Sequence, residues 1–414
     1  MNAPKITENI GSITYSWEDL GLEVIADRVS DEGIAELWFY SPNGNGKKLL
    51  HTTRANLMAT NTMSSITKRM GRHSDKIPWT DVMTYITGKT MEIIRRGEPL
   101  RVLGNKPEKM ALDYTLYPIL EKGQPTTIFA PGGSGKSYLA SYIACLVQFA
   151  GGGIHAWYAS SPGNVLYLDW EADYEVHTRR VWAIKQGLPF DLGVNEEGVF
   201  LYQYCSQPLV SIIDRVRKIV SDKEITFVII DSQMAASGTY PGDPSFPITQ
   251  FFSALRSLKC TTLIIDHENK TGELYGSITK TNRARSQYTI IKDQRVGNPF
   301  IEIALKHEKH NEGMLQETIG IKIEFTNKEL NELHKVVFSE CEVKDNEVLS
   351  QTALTVVDRA HNALLANGRL SLPDLAKMLK VKEGTLKAEL YDHKDLFIYL
   401  KEYKQWGAIS NLKE

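Results

Sequence analysis

The run Ala130-Pro131-Gly132-Gly133-Ser134-Gly135-Lys136-Ser137 constrains this chain more than any other segment of it. It follows the apolar, strand-like stretch Thr126 to Phe129 and opens an amphipathic helical pattern, Tyr138 to Phe149. A glycine-rich loop between a strand and a helix lets the backbone wrap a phosphate, so that its N–H groups and the helix N-terminus face negative charge. Lys136 is then expected to reach the β and γ phosphates, and the Ser137 hydroxyl to hold Mg²⁺. The whole cradle, Ala130 to Ser137 with Tyr138 behind it, reads as a site for ATP and Mg²⁺. Ala130 stands where such loops usually begin with glycine, a small replacement that the pattern tolerates.

Three more apolar runs, Val165 to Asp169, Phe227 to Asp231 and Thr262 to Asp266, alternate with helical patterns. That alternation predicts an α/β core with a parallel-rich sheet over residues 104–340. Each run ends in a polar residue or a glycine-rich loop, where ligands sit in open α/β sheets. Asp231 is placed to hold Mg²⁺ through water. Ser232 and Gln233 follow it, so the base that orients an attacking water comes from elsewhere. Glu171, after Asp169-Trp170, is the choice, with Asp169 and Asp173 as rivals.

At roughly 150 residues per domain, 414 residues predict two to three domains, so the core has flanks. Residues 1–103 read as an α+β accessory domain. Strand alternation runs over Ser12 to Trp17, Leu22 to Asp27 and Ala35 to Tyr40, a turn follows at Pro42 to Gly46, and helical patterns cover Ala55 to Met70 and Trp79 to Arg95. No acidic residue lies between Ser41 and Ser74, a stretch that holds Lys47, Lys48, Arg54, Lys68, Arg69 and Arg72. It is either a solvated face or a phosphate-contacting patch, and Lys68, Arg69 and Arg72 are the candidate nucleic-acid contacts.

Residues 341–355 read as a linker containing the acidic stretch Glu342 to Glu347. Beyond it lie a helix at Arg359 to Ala366, a second helix capped by Ser371 with Pro373 in its first turn, a third at Glu383 to Tyr391, and a hairpin from Phe397 to Ile409. Three helices and a hairpin make residues 356–414 winged-helix-like. Lys382 and Lys387 on the third helix could meet DNA, although Glu383 and Glu389 suit a protein-docking role equally.

The balance of 48 Lys+Arg against 50 Asp+Glu excludes a polycation but not a local basic footprint. Cys145, Cys205, Cys260 and Cys341 lack metal-site spacing and read as buried free thiols of a reducing compartment. No apolar run approaches the roughly 20 residues that span a bilayer, so the reading is cytoplasmic, without a membrane partner.

From about Gln124 to Phe325 the chain resembles the RecA-type ATPases, most closely the RepA-like plasmid replicative helicases and their phage relatives. The resemblance rests on the glycine-rich loop, "VLYLDWEAD", "FVIIDSQ", "LIIDHENK", "GSITKTNRARSQYTI" and "LKHEKHNEG", in that order. It implies that Glu171 activates water and that His267 senses the γ-phosphate; a hydrogen-bonded histidine at a strand end is the plainer alternative. It also implies that loops Gln233 to Phe246 and Glu268 to Lys280 face single-stranded DNA, with Lys270 and Lys280 as contacts.

A neighbouring subunit would insert a basic finger, for which Arg283, Arg285, Lys306 and Lys309 are candidates. Such a head-to-tail contact closes into a ring or opens into a filament, and the resemblance implies a hexameric ring. The function implied is an ATP-driven, ring-forming DNA translocase, a replicative-type helicase of a mobile element or phage, working with other replication or recombination proteins. The flanking domains have no counterpart in a bare RepA-like helicase. Two other readings stay open: an ATP-dependent DNA-binding, loading or recombination-mediator protein without unwinding activity, and a KaiC-like nucleotide-switched regulator acting through protein contacts.

Overall fold

The computed structural model describes residues 1–9, 11–30, 32–43, 46–97, 100, 102–104, 110–189, 198–243, 245–267, 283–329 and 332–409. Contacts divide the chain into two units, residues 1–111 with 211–224, and residues 112–210 with 225–414.

The first unit is built on a meander of β1 (Lys5–Asn9), β2 (Ser12–Trp17), β3 (Leu22–Asp27), β4 (Ile34–Asn43) and β5 (Gly46–Asn56), antiparallel and in sequence order. Strict alternation in β2 and β3 sends Ile13, Tyr15, Trp17, Leu22, Val24 and Ala26 to one buried face. Helices α1 (Thr60–Met70) and α2 (Trp79–Arg96) contribute Ile66, Met70, Val82, Met83 and Ile86 to the same core. The buried Tyr15 ring keeps a polar partner, its hydroxyl lying 2.8 Å from Thr90 Oγ1.

The helix expected from Ala55 begins only at Thr60, because residues 46–56 pair along β4 as the second arm of a hairpin. The β-branched pair Thr52-Thr53 suits that strand. Strand β1 went unforeseen, since its mostly exposed sequence KITEN carries no alternation to read.

The acid-free stretch finds its counter-charges on other strands. Lys47 Nζ lies 2.6 Å from Glu23 Oε1, and Arg54 stands opposite Glu36. Lys68 and Arg69 end α1 and Arg72 follows, all exposed, at the helix end where positive charge is favoured.

In the second unit a small hairpin, β6 (Tyr114–Leu116) and β7 (Leu120–Glu121), precedes β8 (Pro125–Ala130) and α3 (Lys136–Phe149). Then come β9 (Asn164–Asp169), α4 (Tyr174–Lys185), β10 (Phe200–Tyr204) and α5 (Leu209–Asp222), most of which groups with the first unit. The chain continues through β11 (Ile225–Asp231), α6 (Gln233–Ser237), α7 (Ser245–Ser257), β12 (Thr261–His267), β13 (Ser286–Asp293), β14 (Phe300–His310), β15 (Ile319–Asn327) and β16 (Leu333–Cys341).

The nine-stranded sheet has the order β10-β9-β11-β12-β8-β13-β14-β15-β16. It is parallel from β10 to β13 and antiparallel beyond, the mixed α/β, parallel-rich architecture expected. Central strands β8, β9, β11 and β12 are buried almost throughout, as near-continuous apolar runs require in a sheet covered on both faces. Register then assembles the site. His267 lies opposite Ala130, Asp231 opposite Ile265 and Asp169 opposite Asp231, so four strand ends meet along one edge.

Residues 341–355, read as a linker, fold onto the sheet. After β16, α8 (Glu347–Ala353) is capped by the Asn346 side chain, and Val343, Leu349 and Ala353 pack with Ala304 of β14. The chain ends in α9 (Val356–Asn367), β17 (Leu370–Ser371), α10 (Leu372–Leu379), α11 (Glu383–Asp392), β18 (Phe397–Leu400) and β19 (Gln405–Ala408). Their sheet has the order β17-β19-β18, one strand more than the expected hairpin, and a separate core forms around Leu364, Leu375, Leu386, Leu390 and Trp406. Among the described residues no helix is long and apolar enough to cross a membrane. The four cysteines are free, Cys145 and Cys205 buried, and burial pushes the Cys145 thiol up to about 12.

Candidate nucleotide-hydrolysis site

Two glycines shape the loop between β8 and α3. Gly133 and Gly135 have φ of +68° and +86°, the left-handed region in which a Cβ is strained. At Gly135 a Cβ would also stand 3.2 Å from Ile323 Cδ1. Lys136 is buried, and its Nζ donates to the carbonyl oxygens of Ala130 and Pro131 at 2.7 and 2.8 Å. Ser134 Oγ is buried with no hydrogen-bond partner among the described residues, a donor suited to an oxyanion. The loop, Tyr138, Glu171, Arg180, Asp231 and His267 line a cavity of about 270 Å³.

Asp231 Oδ2 accepts hydrogen bonds from Ser137 Oγ at 2.9 Å and Tyr167 OH at 2.7 Å. Burial pushes the Asp231 carboxyl above the usual carboxylate range, and these two bonds offset only part of that rise. A hydroxyl and a carboxylate side by side under a phosphate loop are the hard oxygen donors that Mg²⁺ takes. That ion uses one or two protein oxygens plus substrate phosphates.

Burial and hydrogen bonding distinguish the three acids. Asp169 is fully buried, and its carboxylate accepts from Glu171 N, His177 Nε2 and Tyr202 OH at 2.9, 3.0 and 3.1 Å. Burial alone would raise its carboxyl, yet the bonds from His177 and the Glu171 N–H outweigh it and hold the group below its ordinary value. Asp173 is the N-cap residue of α4 and makes no side-chain capping bond. Glu171, by contrast, keeps 41% of its side chain exposed within the cavity, room for a water. Its Oε1 accepts from Ser232 Oγ and lies 3.2 Å from His267 Nε2.

Three further residues reach the site without having been anticipated. Tyr167 holds Asp231. Arg180 stacks over the Tyr138 ring at 4.7 Å and lines the cavity. Lys292, at the end of β13, donates from Nζ to the Gly133 carbonyl at 2.9 Å. The available signal for Lys292 was its place near the end of a strand, useful only once β13 is known to neighbour β8.

The finger candidates lie elsewhere. Arg285 N bonds Pro125 O, at the end of β8 remote from the loop, and its side chain pairs with Glu312 at 3.4 Å. Arg283 donates to Thr249 Oγ1 at 3.4 Å, Lys306 pairs with Glu308 at 3.1 Å, and Lys309 Nζ donates to Ala284 O at 2.9 Å. Lys270 and Lys280 lie outside the described residues. Lys382 is the N-cap residue of α11 and Lys387 sits within it, both exposed.

Residues 96–273 match the family model of an AAA domain, a span that takes in the glycine-rich loop, Glu171, Asp231 and His267. No curated protein matches the chain. Among solved structures it is similar to a KaiC-like protein from the hyperthermophilic archaeon Pyrococcus horikoshii, at 11% identity and a TM-score of 0.37, over 53% of this chain and 93% of that one. The AAA-domain match and the geometry of the loop together support a P-loop core whose chemistry is nucleotide hydrolysis.

Proposed function

We propose that the protein is an ATP-hydrolysing, ring-forming translocase on single-stranded DNA, a replicative-type helicase of a mobile element or phage. The observation that carries the hydrolytic half is that Glu171, bonded by Ser232 and His267, lines the same cavity as Lys136, Ser137 and Asp231.

The glycine-rich loop and Lys136 hold the triphosphate by backbone N–H groups and one charge. Ser137 and Asp231 would hold Mg²⁺, which would supply neutralisation of the phosphate charge. Glu171 accepts the proton of a water whose oxygen bonds to the γ-phosphorus, while the bond from that phosphorus to the β,γ-bridging oxygen breaks and the oxygen leaves on ADP with the bonding pair. Ser232 and His267 fix the Glu171 carboxylate by hydrogen bonds to Oε1. Arg283, Arg285, Lys306 and Lys309 lie outside this cavity, so a basic finger drawn from them would act on a neighbour's site through a head-to-tail contact, in this reading one that closes into a ring. The winged-helix-like residues 356–414 and the exposed cations of the first unit then supply contacts that a bare motor lacks.

ATPase rate with and without single-stranded DNA tests the reading, and clear stimulation is expected. No stimulation together with no DNA retention at low salt would remove DNA from the proposal and leave the hydrolase. Strand displacement on a forked duplex then separates a motor from a loader. Lys136→Ala is expected to abolish both hydrolysis and displacement; full displacement by that variant would refute the loop assignment.

A further inference from the structure

Beside the hydrolysis site runs a buried polar chain that the reaction above leaves unused. His177, on α4, has its ring between Tyr167 and Tyr202, at centroid distances of 4.5 and 5.3 Å. Its Nε2 lies 3.0 Å from Asp169 Oδ2, the two side chains being 5% and 0% exposed. On the other side, Arg180 Nη1 lies 3.3 Å from His177 Nδ1. A guanidinium can only donate, so Nδ1 is the acceptor and the ring proton sits on Nε2, where it donates to Asp169. The partners thus fix the tautomer.

Each end of this chain reaches a functional element. Asp169 accepts from the backbone N–H groups of Glu171 and Ala172, at 2.9 and 3.2 Å, and so sets the course of the chain at the proposed base. Arg180 stacks on Tyr138, the residue after Ser137, and lines the phosphate cavity. Its buried Nε has no hydrogen-bond partner among the described residues, and a guanidinium carries five N–H donors, of which His177 takes one. The same group can therefore hold His177 and a phosphate oxygen together.

We propose that Arg180 and His177 are positioning residues for Glu171, coupling occupancy of the phosphate cavity to alignment of the base through the hydrogen-bonded series Arg180, His177, Asp169, Glu171. This rests on the reading of Glu171 as the base. A phenylalanine would fill the space between Tyr167 and Tyr202 without the cost of burying polar atoms. What it could not do is pass a hydrogen bond from Arg180 to Asp169. Misplacement of a reacting group by about 1 Å can cost on the order of 10²-fold in rate, which sets the scale of the effect.

The test is steady-state ATPase on the full chain, with binding of a non-hydrolysable ATP analogue measured beside it. His177→Phe is expected to lower kcat roughly tenfold to a hundredfold, with KM and analogue Kd within about twofold of wild type. Arg180→Gln lowers kcat similarly and also weakens the analogue. Since the two act in series, the double variant falls no more than about twofold below Arg180→Gln. His177→Gln keeps an N–H donor and recovers part of kcat.

A kcat for His177→Phe within twofold of wild type, or multiplicative effects in the double variant, would overturn the proposal. So would equal losses in His177→Gln and His177→Phe that track a lowered Tm, which would make the pair a packing element. Glu171→Gln separates the two claims: full activity there refutes the base itself, whereas an inactive Glu171→Gln beside an active His177→Phe refutes the coupling alone.

Discussion

Asp231 shows at a single residue how function and stability oppose each other. The residue is 5% exposed, and burial raises its pKa in the folded chain above the unfolded value near 3.9. Protonation therefore favours the fold. The contribution is fully present below the unfolded pKa and is lost as pH rises through the folded one. Asp231→Asn, keeping an oxygen for Ser137 and Tyr167, is expected to raise Tm by a few degrees at pH 7 without Mg²⁺, the gap to wild type closing as pH falls toward about 4. Hydrolysis by the same variant should drop by roughly 10²-fold or more. A lower Tm at neutral pH would show that the charge is stabilising and the argument reversed.

Asp231 ends β11, Glu171 follows β9 by two residues, and Lys136 and Ser137 open α3 after β8, so the apolar runs of the sequence alone locate all four. Lys292 was not legible in this way, because its partner Gly133 lies 159 positions away, and only the pairing of β13 with β8 brings them together.

At the scale of elements, chemistry at the ends was read better than identity in the middle. Ser371 and Pro373 marked the start of α10, and the structure places Ser371 at its N-cap, accepting from Asp374 N. Residues 46–56 were misjudged in part because Lys, Leu, Thr and Arg in that order satisfy neither period cleanly, so pairing with β4 decides. The acidic segment before α9 looked like a linker by composition, yet Leu349 and Ala353 give α8 an apolar side against β14.

Helix α9 opens with a capping box. Thr355 Oγ1 accepts from Asp358 N at 3.1 Å, and Asp358 Oδ2 accepts from Thr355 N at 3.2 Å. Thr355→Ala should destabilise this helix by about 1 kcal/mol. Hydrogen exchange should show faster opening of residues 356–367 while α3 keeps its protection. Unchanged protection in α9 would mean that packing around Leu364 sets its stability and the cap contributes nothing measurable.

For the whole molecule, the near-neutral total of −2 conceals separate basic surfaces, and their number can be counted through salt. Lys68, Arg69 and Arg72 are exposed at the end of α1, while Lys382 and Lys387 are exposed on α11. Each phosphate neutralised on a single strand releases counterions and adds about 0.7 to the slope of log K against log salt. If all three cations of α1 and its following turn engage DNA, replacing them with Gln should lower that slope by about 2 and weaken binding alike across sequences. The pair on α11 should account for about 1.4 by the same rule, unless Glu383 beside it turns that helix toward a protein. An unchanged slope for the first variant would make α1 a solvated face and shift the burden of DNA contact to the ATPase core. The measurement is a titration of a labelled single strand at several salt concentrations with a non-hydrolysable ATP analogue present, so that the ring proposed above is held in one nucleotide state while its contacts are counted.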